Sequence, residues 1–104
     1  MEKALALTTA HTRALERDEV EVRARFIAPN GSGMTLLIVN ITAMGLMARG
    51  DMPGGVGDLV KISLPIVGAW DAEIRWMLGG RMGFAFPTPI DTADYPRVLE
   101  AMRR

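Results

Sequence analysis

Apolar and polar residues alternate along much of the chain before residue 87. The clearest example lies between Trp70 and Trp76, where apolar residues at every second position are separated by Asp71, Glu73 and Arg75. This alternation is typical of a strand with one buried face, and it places both tryptophans on that same face. Alternation predicts strands over residues 20–26, 60–64, 70–76 and 82–86. Residues 34–41 are apolar almost throughout, which predicts a central strand, and a short strand is predicted over residues 45–49. Short strands separated by turns favour an antiparallel sheet or barrel.

Two stretches look like glycosylation sequons but are interpreted as turns. Asn30-Gly31-Ser32 separates the first two predicted strands, and Asn-Gly is the pair that a type I′ hairpin turn prefers. Asn40-Ile41-Thr42 ends the second strand, just before Gly45. Asparagine and glycine are ordinary turn residues, so both stretches predict a change of chain direction.

The apolar spacing becomes helical after residue 89. Thr92 is a candidate N-cap, and Pro96 fits the first turn of a helix, where its missing N–H is not needed. We therefore predict a helix over about residues 92–103. Its apolar positions are Tyr95, Val98, Leu99 and Met102.

Length and composition indicate one small domain. The chain has 104 residues, of which 49% are apolar, enough to build one core. We expect this domain over residues 12–104, preceded by a poorly ordered segment at residues 1–11. No apolar run is long enough to cross a bilayer, and the N-terminus lacks the pattern of a signal peptide, so we expect a cytoplasmic protein without membrane insertion.

The charged and reactive residues disfavour several classes of function. Acidic and basic residues balance at 12 each, and only six residues in every hundred are aromatic, so we expect no DNA or RNA partner. There is no cysteine and only one histidine. No nucleophile with a neighbouring base and no set of metal ligands can be assembled, so the sequence does not predict an enzyme.

Two polar motifs are expected to meet at one end of the first hairpin. Arg13 and Arg17 precede the first strand, and Asn40, Thr42 and Gly45 follow the second. Because a hairpin returns the end of its second strand to the start of its first, the two motifs should lie close together. Guanidinium groups can bind phosphate oxygens bidentately or stack on a purine. In the empty protein, neighbouring carboxylates would compete for these arginines.

In order and context, these motifs resemble those of the PilZ domain family. That family has Arg-x-x-x-Arg before its first strand and Asp/Asn-x-Ser-x-x-Gly after its second. The segments PGGVGDLVKISLP and AEIRWMLGGRMGFAF are also similar, so the resemblance covers about residues 12–102. It implies a six-stranded antiparallel β-barrel of Greek-key type with a C-terminal helix. It also implies binding of cyclic di-GMP, without catalysis or a further cofactor.

The resemblance further implies roles for individual residues. Arg13 and Arg17 would hold phosphates and guanines, and Asn40 and Thr42 would hydrogen-bond the ligand. Gly45 would permit close approach of the chain at the turn, and Trp76 would lie near the ligand.

The expected mechanism is ordering of the segment around Arg13 and Arg17 on binding, which creates a surface for a downstream protein. Thr42 departs from the family pattern, which has serine, and its extra methyl group would crowd a ligand. The alternative is therefore a PilZ-like adaptor that has lost nucleotide binding and acts only through protein contacts.

Overall fold

The computed structural model describes residues 17–104. Arg13 and the segment 1–11, which was expected to be poorly ordered, lie outside the described residues. The secondary structure consists of β1 (Asp18–Ile27), β2 (Gly33–Thr42), β3 (Gly45–Arg49), β4 (Leu59–Leu64), β5 (Gly68–Leu78), β6 (Arg81–Ala85) and α1 (Tyr95–Met102).

The six strands form a closed antiparallel barrel in the order β1-β2-β3-β6-β5-β4. This confirms the predicted barrel with a C-terminal helix. Every predicted strand is present, with bounds that differ by at most two residues. The agreement follows from the sequence pattern, because alternating apolar residues supply the inner face that a small barrel must bury.

The barrel interior is filled by aliphatic and aromatic side chains from all six strands. Phe26 and Phe84 pack with ring centroids 5.4 Å apart, and Ile38, Ile62 and Ile74 are fully buried around them. Burial of one such side chain contributes about 1.5–3 kcal/mol to folding. No charged or polar side chain among residues 17–104 is buried, so any polar chemistry of this part of the chain lies on its surface.

The first hairpin is confirmed, but its turn differs from the type I′ turn expected for Asn-Gly. The N–H of Gly31 donates to the carbonyl of Ala28 at 2.8 Å, so Pro29 and Asn30 occupy the two central positions. Gly31 has a positive φ, whereas Asn30 does not. The proline explains the difference, because its fixed negative φ suits the first central position of an ordinary turn.

The prediction that Trp70 and Trp76 share one face of β5 was wrong. Ile74 pairs with Phe84, whereas Trp76 pairs with Gly83, so Arg75 is an extra residue in β5. A bulge of this kind interrupts the alternation of faces. Trp70 packs against the core, and Trp76 lies on the outer surface with 39% of its area exposed.

Helix α1 packs its apolar side against the barrel. Val98 and Met102 are buried, as the spacing predicted. The helix begins later than expected, because Asp91 accepts hydrogen bonds from the backbone N–H groups of Ala93 and Asp94 and forms a separate turn. The N-cap is therefore Asp94 rather than Thr92. Within residues 17–104, no helix is long and apolar enough to cross a membrane.

Candidate functional site

Four outward-facing residues form one row across four adjacent strands. Asn40 on β2 pairs with Met47 on β3, and Met47 pairs with Gly83 on β6. Gly83 in turn pairs with Trp76 on β5. Neighbouring strands lie about 4.8 Å apart, so the row extends over about 14 Å. It brings a carboxamide, a thioether and an indole onto one surface.

Two bulges turn the ends of this row outward. Ile38 and Ile41 are both fully buried, which strict alternation would forbid for residues three apart. The register between β2 and β3 shifts between Ile38 and Asn40, so Val39 is an extra residue and Asn40 faces outward. Arg75 has the same effect on β5, where it brings Trp76 to the outer surface. Bulges commonly re-aim side chains next to functional sites.

The row borders a cavity of about 290 Å³, which we call the groove. Five of the six residues predicted from the sequence line it, and the sixth, Arg13, lies outside the described residues. The residues lining the groove are Arg17, Asn40, Thr42, Met44, Gly45, Leu46, Met47, Arg75, Trp76, Gly83 and Phe84.

The turn between β2 and β3 is held by the hydroxyl group of Thr42. Its Oγ1 accepts a hydrogen bond from the backbone N–H of Met44 at 3.0 Å. Gly45 follows, and a Cβ atom there would overlap the carbonyl oxygen of Phe84 on the neighbouring strand. Gly45 is therefore required by the close approach of β3 and β6, and this requirement exists without any ligand.

The indole of Trp76 covers Gly83. A Cβ atom at Gly83 would overlap three atoms of the five-membered ring, so the ring occupies the space of the missing side chain. The backbone of Gly83 supports the indole from below, and the part that remains exposed borders the groove. A supported, partly exposed indole is a surface on which a nucleobase can stack.

Two guanidinium groups reach the groove, and neither is strongly neutralised by residues 17–104. Arg17 is exposed and forms no ion pair with Asp18 or another carboxylate of that range. The predicted competition from these carboxylates is therefore absent there. Arg75 lies 3.8 Å from a carboxylate oxygen of Glu73, with both side chains exposed. Such a pair contributes little to stability and is easily replaced by another anion.

The amide of Asn40 has a weak partner. Its Nδ2 lies 3.7 Å from the sulfur of Met47. A thioether is a poor hydrogen-bond acceptor, so a carbonyl or phosphate oxygen would replace it favourably. Asn40 can also accept a hydrogen bond through its own oxygen. It can therefore recognise a ligand that offers both donors and acceptors.

Helix α1 is anchored next to both polar motifs. The hydroxyl of Tyr95 lies 2.6 Å from Oδ2 of Asp18 and 3.0 Å from the carbonyl oxygen of Ile41. Arg103 donates two hydrogen bonds to the carbonyl oxygen of Glu19, at 3.1 and 3.0 Å. Burial and the hydrogen bond to Asp18 raise the pKa of Tyr95, which keeps its hydroxyl protonated. These contacts fix the start of β1 relative to the end of β2.

Sequence reasoning missed six residues of the groove, which are Met44, Leu46, Met47, Arg75, Gly83 and Phe84. Arg75 had been assigned to the outer face of β5, but nothing in the alternation indicated that it would share a site with Trp76. The bulge is the reason, because it interrupts the pairing of β5 with β6. Among residues 17–104, no group of three or more His, Cys, Asp or Glu side chains could hold a metal ion.

Comparison with known proteins identifies the fold but no family. No protein-family model matches the chain, and no curated protein matches it. Among solved structures, the chain is similar to the PlzA protein of Borreliella burgdorferi in complex with c-di-GMP. The TM-score is 0.64 at 16% sequence identity, over 97% of this chain and 46% of the PlzA chain. At this identity the likeness shows a shared fold, and this chain matches less than half of PlzA.

Proposed function

We propose that the chain is a PilZ-type receptor that binds cyclic di-GMP in the groove. The observation that carries this proposal is the convergence of Arg17, Asn40, Thr42, Gly45 and Trp76 on one cavity. These residues come from three separate regions of the sequence, and the fold brings them to one place. The proposed activity is binding, with no chemical step.

The side chains around the groove match the chemistry of a cyclic dinucleotide. Arg17 and Arg75 can donate paired hydrogen bonds to phosphate oxygens or to the O6 and N7 atoms of guanine. Asn40 can bind a base edge through its amide. Trp76 offers a ring face on which a guanine can stack. The groove therefore combines the cationic, polar and aromatic contacts that such a ligand requires.

Arg13 would complete the site from the segment that precedes β1. It lies four residues before Arg17 in the sequence, and two guanidinium groups would together supply the paired hydrogen bonds that phosphate oxygens accept. Ligand contacts with Arg13 would favour the arrangement in which this segment lies over the groove. The surface formed in this way would be recognised by a downstream protein.

The likeness to PlzA is consistent with this proposal. PlzA shares the fold over nearly the whole of this chain and was solved with c-di-GMP. The choice of ligand therefore rests on the two motifs and the groove, and the solved structure with a similar fold is itself a complex with c-di-GMP.

Isothermal titration of the full chain with cyclic di-GMP tests the proposal. We expect saturable binding by the wild-type protein and a loss of about thirtyfold or more for Arg17→Ala, equivalent to about 2 kcal/mol. Asn40→Ala should also weaken binding. Arg97→Ala is the matched control, because Arg97 is an exposed arginine of α1 that does not line the groove. Absence of heat with wild-type protein, or equal affinity for Arg17→Ala and wild type, would contradict the proposal.

A nucleotide-independent adaptor is the second candidate, and Thr42 is the residue that favours it. The hydroxyl of Thr42 already accepts the N–H of Met44, and its methyl group adds bulk at the edge of the groove. An adaptor of this kind would show no heat with cyclic di-GMP and would bind its partner equally with and without the nucleotide.

A further inference from the structure

Half of the cationic side chains of residues 17–104 form neither an ion pair with a carboxylate nor a hydrogen bond to a backbone carbonyl of that range. Lys3 and Arg13, like Glu2 and Glu16, precede residue 17, so residues 17–104 contain ten cationic side chains and ten carboxylates. Four of these cations form ion pairs, and a fifth binds a backbone carbonyl. The five that form neither contact within residues 17–104 are Arg17, Arg23, Arg25, Arg49 and Arg81.

Six carboxylates of residues 17–104 also form no ion pair. Two of them, Glu19 and Glu21, are exposed on β1, the strand that carries Arg23 and Arg25. Positive charge is therefore in excess only locally, where arginines are neighbours across strands, and not over a whole face of the barrel.

Three of these arginines fall in one cross-strand row. Arg23 pairs with Leu37, Leu37 with Arg49, Arg49 with Arg81, and Arg81 with Leu78. We call these five residues the arginine row. Arg49 and Arg81 lie directly opposite each other, and like charges in that position destabilise a sheet. An anion from outside the barrel, placed between the two guanidinium groups, would remove this repulsion.

The arginine row also carries exposed apolar surface. Leu78 is 78% exposed, the most of any large apolar residue among residues 17–104. Leu37 lies between Arg23 and Arg49 and is half-buried. A ligand that offered negative charge alone would leave Leu78 in water. The row therefore fits a ligand in which aliphatic groups stand next to anionic groups.

This mixture favours a protein partner over a nucleic acid or a membrane. A nucleic-acid backbone has no aliphatic groups to cover Leu78, and non-specific binding to it requires the neutralisation of many phosphates, whereas the row has three arginines. Electrostatic attachment to an anionic membrane typically uses clusters of four to eight basic residues, which is also more than the row contains. A protein segment with interspersed carboxylates and aliphatic side chains meets both requirements of the row.

The arginine row runs beside the groove across β3, β6 and β5. On β3, β6 and β5, each member of the arginine row lies two residues from a groove residue on the same strand. These pairs are Arg49 with Met47, Arg81 with Gly83, and Leu78 with Trp76. Two residues along a strand correspond to about 7 Å. A partner seated on the row would therefore lie next to whatever occupies the groove.

We propose that the arginine row is a docking surface for an acidic, leucine-containing segment of a partner protein. One carboxylate of the segment lies between the guanidinium groups of Arg49 and Arg81 and accepts hydrogen bonds from both. An aliphatic side chain next to it packs on Leu78. The proposal is independent of nucleotide binding, because none of these residues lines the groove.

A fluorescein-labelled peptide, Gly-Glu-Leu-Glu-Glu-Leu-Glu-Gly, provides the test, with anisotropy measured against the full chain at low ionic strength. The decisive variant is Arg49→Glu, which replaces a like-charged pair with an opposite-charged one. We expect a Tm at or above that of wild type together with a loss of peptide affinity of about tenfold or more. Because stability and binding move in opposite directions, unfolding cannot account for the loss.

Two further variants complete the design. Leu78→Ser should weaken peptide binding about threefold or more, since it removes the apolar contact. Arg97→Glu on α1 changes the net charge as Arg49→Glu does and should leave binding unchanged. A peptide with serine in place of both leucines should bind more weakly than the original.

Several results would overturn the proposal. They are absence of peptide binding at about 100 µM wild-type protein, unchanged affinity for Arg49→Glu, and equal binding of the serine peptide. A short single-stranded oligonucleotide and phosphatidylserine vesicles are the competing probes. If either bound more tightly than the peptide, and Arg49→Glu abolished that binding, the arginine row would be assigned to a nucleic acid or a membrane instead.

Discussion

The five-membered ring of Trp76 rests on the backbone of Gly83, in the space that a side chain at position 83 would occupy. The two residues are cross-strand partners on β5 and β6. The bulge at Arg75 makes this possible, because it turns Trp76 outward opposite Gly83, a residue without a Cβ atom on the neighbouring strand. The pair forms one wall of the groove.

Replacement of Gly83 by alanine should displace the indole and weaken ligand binding. The added methyl group overlaps the ring, so we expect a loss of about 1–3 kcal/mol in the free energy of unfolding and a change in tryptophan fluorescence. A Trp70→Phe background isolates the signal of Trp76. Gly55→Ala is the control, because no atom lies within 4 Å of its added Cβ. Unchanged fluorescence in Gly83→Ala would refute the contact.

Substitutions of Thr42 separate its hydroxyl from its methyl group. Thr42→Val leaves the N–H of Met44 without its acceptor and should lower the free energy of unfolding by about 1 kcal/mol. Thr42→Ser keeps the hydroxyl and removes the methyl, so its affinity for cyclic di-GMP should equal or exceed that of wild type. Titration calorimetry and chemical denaturation measure the two effects. Weaker nucleotide binding by Thr42→Ser would show that the methyl group does not crowd the ligand.

The hydroxyl of Tyr95 should titrate at unusually high pH. Tyr95 is the only tyrosine of the chain, so tyrosinate absorbance reports it alone. Burial, with the hydrogen bond to Asp18, raises its pKa above the ordinary value of about 10. We expect a native titration well above that value and an ordinary one in urea.

The raised pKa of Tyr95 also predicts how stability changes with pH. Below about pH 10 the hydroxyl is protonated in both the folded and the unfolded states and contributes no pH dependence. Above it, the unfolded chain releases the proton more readily, so the free energy of unfolding falls as the pH rises. Tyr95→Phe should lack this part of the decline. An ordinary native pKa would contradict the partly buried contact with Asp18.

Arg75 should contribute to nucleotide affinity, and Glu73 should oppose it. Arg75→Ala removes a guanidinium group from the groove and should weaken cyclic di-GMP binding about tenfold. Glu73→Gln removes the competing carboxylate and should strengthen binding about threefold, with a smaller effect at high salt. Identical affinities for wild type and both variants would exclude Arg75 from the site.

The sequence predicted the barrel because its alternation of apolar and polar residues reflects the physical requirement for an inner and an outer face. It predicted that Arg17 would approach Asn40 and Thr42 because a hairpin necessarily brings those chain ends together. Gly45 was selected for the turn, and in the fold it is also required by the close approach of its backbone to the carbonyl oxygen of Phe84.

The outward orientation of Asn40 and Trp76 depended on bulges, which the alternation of apolar and polar residues does not reveal. An extra residue at Val39 or Arg75 changes which side chains face outward, yet each residue type is ordinary for a strand. The pairing of Arg49 with Arg81 was equally hidden, because these residues are 32 positions apart and meet only when β3 pairs with β6. Contacts between distant strands depend on register, and local patterns do not specify it.

The central claim, that the groove binds cyclic di-GMP, is tested most directly by a two-dimensional amide NMR spectrum of the full chain with and without the nucleotide. We predict saturable shifts at Arg17, Asn40, Thr42 and Gly45 and at the indole N–H of Trp76, and no comparable shift at Arg97. An unchanged spectrum at saturating nucleotide, or shifts confined to surfaces away from the groove, would contradict the account.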